Sequence, residues 1–135
     1  MKTTLQAGVS GTATVEIDRE RTIDFMGEKA RVYATPMLVS DLEIACRNLL
    51  LQHLDDGEDS VGTRVELDHT AASLMGMKVV LTLKIIDVQG RAITFEIAGH
   101  DGVESICAGR HHRFVVDIKK TEARLAAKAQ KAGLT

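Results

Sequence analysis

Between residues 35 and 54 the chain carries TPMLVSDLEIACRNLLLQHL, a segment apolar around most of a helical circumference. Threonine is a favoured helix cap and proline suits the first helical position, so Thr35-Pro36 predicts a helix start with Thr35 as the cap. The run DDGE at 55–58 predicts its end near Leu54. Leu38, Leu42, Ala45, Leu49 and Leu50 recur at helical spacing, and Met37, Ile44, Cys46 and Leu51 widen the stripe. A helix with so little polar surface has to be wrapped by other structure.

The sequence around it supplies strands. Ala13, Val15 and Ile17 alternate with Thr12, Thr14 and Glu16, which predicts a strand over 11–17; residues 18–29 read as irregular, with a turn at Met26-Gly27. After Ser60 the period of two persists to about residue 118. Val61, Thr63, Val65, Leu67 and His69 share one face of the next segment; Val79, Leu81, Leu83 and Ile85 share a face of 77–88; Ile93, Phe95 and Ile97 do so in 91–98; and 103–118 is the last long strand. Gln89-Gly90 and Asp101-Gly102 are turn signals between them. Residues 119–132 read as a charged, alanine-rich helix, so the chain divides into a domain over 1–118 and a helical tail over 119–135. The order strand, helix, four antiparallel strands gives an α+β protein in which one sheet curves around one central helix, the hot-dog fold. Such a sheet still needs protection at its edges and on its other surface, which favours a dimer.

Composition narrows the function. A net charge of -2 supplies no basic face for nucleic acid. No apolar run approaches eighteen residues, so no membrane span is expected, and the N-terminus lacks the apolar stretch of a signal peptide. Two cysteines, Cys46 and Cys107, fit buried free thiols in a reduced, cytoplasmic setting. His111 and His112 are adjacent and would point to opposite faces of a strand, so no metal site is expected.

Three side chains stand out chemically. Glu43 is flanked by Leu42, Ile44, Ala45 and Cys46, and a carboxylate pressed toward an apolar face is usually paired or used. Thr35 opens the same helix, and His69 ends a strand. Each also has a plainer reading. Thr35 can be only a cap; Glu43 can pair with Arg47 four residues on; His69 can be a core histidine. Gly62 can ease a bulge, and Arg113 can be a solvated strand residue.

Three longer stretches shift that balance. ATPMLVSDLEIAC, GTRVELDHTAA and AGHDGVESICAGRHHRFVV resemble the fluoroacetyl-CoA thioesterase and its relatives, a branch of the hot-dog acyl-CoA thioesterases. The likeness runs from about residue 32 to 116, and its most specific pieces are GT-x5-HTAA, HDGV-x5-G-x3-R and T-x7-E-x-A-C. The resemblance implies a catalytic trio of Thr35, Glu43 and His69, and substrate contacts from the Gly62 backbone and the Arg113 side chain. It implies hydrolysis of a small acyl-CoA to a carboxylate and CoA, with no cofactor beyond the CoA of the substrate. The segment FMGEKAR before the threonine is shorter than the phenylalanine-bearing lid of the fluoroacetyl-specific enzyme, which points to a small acyl group without selectivity for fluorine.

Eight residues of straight helix separate Thr35 from Glu43 by about 12 Å. An active site at a homodimer interface, drawing on both copies, resolves that separation and matches the resemblance. Stacking of two dimers into a tetramer stays open. The alternative is a hot-dog protein that binds acyl-CoA without cleaving it.

Overall fold

A computed structural model describes residues 1–134; Thr135, the end of the expected tail, lies outside the described residues. The chain forms β1 (Ser10–Glu16), α1 (Thr35–Leu51), β2 (Glu58–His69), β3 (Lys78–Gln89), β4 (Ala92–His100), β5 (Ser105–Asp117) and α2 (Ile118–Lys131), with two short 3-10 turns at Arg19–Arg21 and Glu28–Ala30. The five strands make one antiparallel sheet in the order β1-β3-β4-β5-β2. The fold is therefore α+β, as the alternation predicts.

One face of the sheet carries α1. Val79, Leu81, Leu83 and Ile85 of β3 and Ile93, Phe95 and Ile97 of β4 are buried with Leu38, Leu42, Cys46 and Leu50 in a single core. Each aliphatic or aromatic side chain so buried contributes about 1.5–3 kcal/mol. The other face carries the alternate, largely polar positions, so the period of two marks inside and outside of a one-sided sheet.

Three details of α1 depart from expectation. It stops at Leu51, three residues short of Leu54, where Gln52 closes it by donating its backbone N–H to the Leu49 and Leu50 carbonyls. Its cap is Ala34, with no side-chain capping bond, so Thr35 sits inside the first turn; the threonine hydroxyl is spent on His69 instead. Ile44, expected to widen the apolar stripe, is 54% exposed and lies with Ser40, Arg47 and Asn48 on an open flank. Within one chain, then, the sheet covers α1 only in part.

β2 departs in a way that matters more. Its register against β5 slips between Gly62 and Arg64, leaving Thr63 as an extra residue. Such a bulge reverses which positions face inward. Upstream, Ser60 is buried and Val61 is 46% exposed; downstream, Val65, Leu67 and His69 turn inward while Arg64, Glu66 and Asp68 stay out. The expected single face from Val61 to His69 is thus two half-faces of opposite phase.

Gly109 of β5 faces the backbone of β2 with no room for a side chain. A Cβ there would land on the Glu66 carbonyl oxygen and within 2.9 Å of the Leu67 Cα, all of it backbone that cannot swing aside. Gly109→Ala should destabilise the protein by about 1–3 kcal/mol, the usual cost of forcing atoms into a packed site. Urea denaturation of the two proteins measures this, and an unchanged midpoint would contradict the packing described.

Candidate active site

The sequence-predicted residues gather in two groups. At the N-terminal end of α1, Thr35 Oγ1 and His69 Nδ1 share a hydrogen bond of 2.8 Å. Tyr33 stands edge-on to the imidazole, with ring centroids 6.2 Å apart. The Tyr33 hydroxyl donates to buried Asp41 at 2.5 Å, and Asp41 also accepts from Arg21 Nε at 3.0 Å. This ties the approach to α1 to the helix itself. The Tyr33 N–H donates to the Ser73 carbonyl. Ser73 Oγ in turn donates to Asp101, which also accepts from the Val103 and Glu104 N–H groups. The HDGV stretch is therefore a brace for the segment that presents Thr35.

The imidazole of His69 is half-buried, and its Nε2 is screened from solvent with no hydrogen-bond partner among the described residues. Burial holds its pKa below the usual histidine value, against an opposing pull from the Ala71 backbone. The ring is thus neutral at pH 7. A cavity of about 340 Å³ opens beside it, lined on its apolar side by Ile23, Phe25, Val32, Tyr33 and Ala71. Phe25 stands at its rim and is 78% exposed, so the short segment before the helix does bring one aromatic ring to this cavity.

The second group lies further along α1. Glu43 Oε2 is 3.6 Å from Arg113 Nη1. The carboxylate is partly exposed, at 39%, whereas Arg113 is buried, at 5%. The expected pairing of Glu43 with Arg47 does not form. Arg47 turns to Asp59, with Nε and Nη2 at 2.9 and 2.7 Å from its two oxygens. Nor is Arg113 a solvated strand residue: its Nε donates to Ser60 Oγ at 2.7 Å and its Nη2 to the Ser60 carbonyl at 2.8 Å. Gly62 faces the same spot because of the bulge. A Cβ on it would lie 2.7 Å from Glu43 Oε2 and 3.1 Å from His111 Cε1, so glycine is what lets the carboxylate approach this strand.

The sequence alone does not point to Ser60, and it brings in His111 only as a rejected metal ligand. His111 is fully buried, with Nδ1 2.8 Å from the Arg64 carbonyl and Nε2 3.1 Å from Arg113 Nη1. The spacing of His111 and Arg113, two apart on a strand, carried the signal that both share a face. His111 and His112 do point oppositely, the latter toward Thr94 Oγ1. Cys46 is also close to this group, but burial pushes its thiol up to about 12, which removes it as a nucleophile. No cluster of three or more His, Cys, Asp or Glu side chains suited to a metal ion occurs among the described residues.

No hydrogen bond joins the two groups within the chain, among the described residues. What the chain presents is two partial sites: a threonine–imidazole pair beside an apolar cavity, and a carboxylate–guanidinium pair on a glycine floor.

One long helix held in the curve of an antiparallel sheet is the hot-dog arrangement. The chain belongs to the fluoroacetyl-CoA-specific thioesterase family, a family of thioester hydrolases, whose model matches residues 17–119. It is 36% identical over 101 residues, 75% of this chain and 73% of the relative, to the fluoroacetyl-CoA thioesterase of Streptantibioticus cattleyicolor. It superposes on a crystal structure of a point mutant of the fluoroacetyl-CoA-specific thioesterase FlK with a TM-score of 0.86 at 30% identity, covering 94% of this chain and 99% of that one. Another FlK variant, solved in complex with acetyl-CoA, gives a TM-score of 0.84 at 28% identity over 92% and 98% of the two chains. No helix among the described residues is long and apolar enough to cross a membrane.

Because burial lowers the His69 pKa, the folded protein resists a proton that the unfolded chain accepts. This contribution to stability is whole above about pH 6.5, the unperturbed histidine value, and declines as the pH falls toward the depressed folded value. Imidazole ¹⁵N NMR should therefore find a His69 titration midpoint below about 6.5; a midpoint at or above it would contradict the buried, neutral ring.

Proposed function

We propose that the protein is an acyl-CoA thioesterase that hydrolyses a small acyl-CoA to its carboxylate and free CoA. Its active site forms where two copies of the chain meet. The observation that carries this reading is the division of the polar residues into two incomplete halves separated along α1. β2 is one of the two edge strands of the sheet and holds the glycine floor of one half, while His69 ends the same strand. An unpaired strand edge is a ready surface for a second copy. A two-fold axis there brings Thr35 and His69 of one subunit toward Glu43, Gly62 and Arg113 of the partner subunit, twice per dimer.

The chemistry follows from the residue types. Glu43 accepts a proton from water as the water oxygen bonds to the thioester carbonyl carbon; direct attack by the carboxylate is the variant of the same step. The negative charge that grows on the carbonyl oxygen meets the Gly62 N–H, a preorganised donor of the kind worth about 3 kcal/mol. Collapse breaks the carbon–sulfur bond and releases the CoA thiolate, which takes up a proton. The His69 ring, fixed by Thr35 and with Nε2 free to meet a partner, orients the acyl group or passes that proton. Arg113 lies where it can hold the acyl or carboxylate end. The apolar cavity of about 340 Å³ beside Thr35 suits a short acyl chain. Phe25 alone at its rim argues against a closed, fluorine-selective lid.

No cofactor is needed beyond the CoA that the substrate carries. Both cysteines are free and buried, consistent with a reduced cytoplasmic setting. Residues 1–118 are the catalytic domain in this reading, and α2, which buries none of its residues, is an appended tail.

The purified protein should release free CoA thiol from a panel of acetyl-, propionyl-, butyryl- and fluoroacetyl-CoA. Glu43→Gln should lower kcat by about 10²–10⁴, the range for loss of a general base, while leaving the unfolding transition in place. Binding of acyl-CoA without any release of CoA would favour the non-catalytic alternative. Near-normal rates in Glu43→Gln would remove the assigned base.

A further inference from the structure

Arg113 is a guanidinium taken almost wholly out of water, and its orientation is over-determined. Ser60 accepts from it twice, through Oγ and through its carbonyl, and His111 Nε2 stands 3.1 Å from Nη1. Only the remaining reach of Nη1 is directed at Glu43. A guanidinium has five N–H donors and accepts nothing. His111 Nε2 must therefore present its lone pair to Arg113. Its Nδ1 faces the Arg64 carbonyl, which only accepts, so Nδ1 must carry the proton. The geometry admits one tautomer of a neutral ring. An imidazolium there would set an N–H against an N–H and a second cation against Arg113.

The ring is immobilised on its remaining sides. It stacks on Phe95 of β4, with centroids 6.4 Å apart and planes at 27°. Its Cε1 lies beneath Gly62, where a Cβ would come to 3.1 Å. We propose that His111 is a positioning residue for thioester cleavage: pinned by the Arg64 carbonyl, its neutral ring holds Nη1 of the Arg113 guanidinium against Glu43 and Gly62, and a proton on that ring releases Nη1 while Ser60 keeps Nε and Nη2. This rests on the reading that Glu43 and Arg113 serve hydrolysis.

The groups that face His111 are few. Burial lowers its pKa most; the Arg64 carbonyl of β2 opposes, the Arg113 charge on β5 lowers it further, Glu43 of α1 raises it, and His112 on the opposite face of β5 lowers it slightly. Cys46 of α1 is an uncharged thiol. The Arg64 guanidinium is turned outward to Glu66. The balance keeps the ring neutral at pH 7, and release belongs to the acid side of the usual histidine range.

Two measurements on the full chain test the proposal. His111→Ala should lower kcat about a hundredfold, the cost of a small misplacement of reacting groups. His111→Gln, whose side-chain oxygen can still accept from Arg113, should recover most of that loss. Independently of activity, the Arg113 ¹⁵Nη1–H signal should be slow to exchange at neutral pH and should vanish on acidification with the midpoint of the His111 imidazole. In His111→Gln it should persist through the same range. Wild-type kcat in His111→Ala, or an Arg113 signal indifferent to the His111 titration, would overturn the proposal. A wild-type protein that cleaves no acyl-CoA would instead strike the functional reading, and the clamp would be decided by the Arg113 signal alone.

Discussion

The approach of the Glu43 carboxylate to the backbone of Gly62 is the contact around which the rest is arranged. It requires a residue with no side chain on the strand, a strand phase that turns that residue toward the helix, and a cation behind it. The bulge at Thr63 supplies the phase, and Arg113 supplies the cation. Without the bulge, Val61 would face inward in place of Ser60 and Gly62. A valine side chain would then occupy the ground on which the carboxylate and guanidinium meet, and Arg113 would lose both of its Ser60 acceptors. One extra residue in β2 thus converts an ordinary hydrophobic strand into a polar floor, and returns to hydrophobic register in time to turn Val65, Leu67 and His69 inward.

The same strand connects the two partial sites. Its first half holds Ser60 and Gly62; its end holds His69, joined to Thr35 at the start of α1. The helix has a parallel division, with a hydroxyl in its first turn and a carboxylate about 12 Å further on. Both elements carry their chemistry at two stations with apolar packing between. Rigid packing of Leu38, Leu42, Cys46 and Leu50 against β3 and β4 keeps the stations apart within a chain. In the proposed reading a second copy completes each site, and the exposed flank of α1 at Ile44 and the free edge of β2 are surfaces open to it.

Much of this was legible in the sequence, and the parts that were not have physical reasons. The strands of the core sheet announce themselves through Val79, Leu81, Leu83 and Ile85 and through Ile93, Phe95 and Ile97, because burial on one face imposes a period of two. The helix is legible from the spacing of its leucines. Its cap is not, since threonine before proline is a good cap in isolation, whereas here the hydroxyl meets the His69 ring. The expected Glu43–Arg47 pair failed for a related reason: Asp59, distant in sequence, offers Arg47 a two-point fit, and Arg113 is free to face Glu43. The bulge leaves no periodic trace, since Val61, Thr63 and Val65 are all plausible members of one face. With the bulge unseen, Ser60 and His111 could not be placed beside Arg113. Local spacing carries elements; contacts between distant strands and helices decide which polar groups are spent on structure and which stay available.

The central claim is that the two halves from different subunits make one working site. The direct measurement is to mix Glu43→Gln and His69→Ala chains, each inactive alone, under conditions that exchange subunits, and to follow CoA release. If the halves are shared across a two-fold axis, random exchange makes half the dimers mixed and restores one of the two sites in each, so about a quarter of wild-type activity should return. If each site is built from a single chain, every site in the mixture keeps a defect, and the mixture will stay as inactive as its parts.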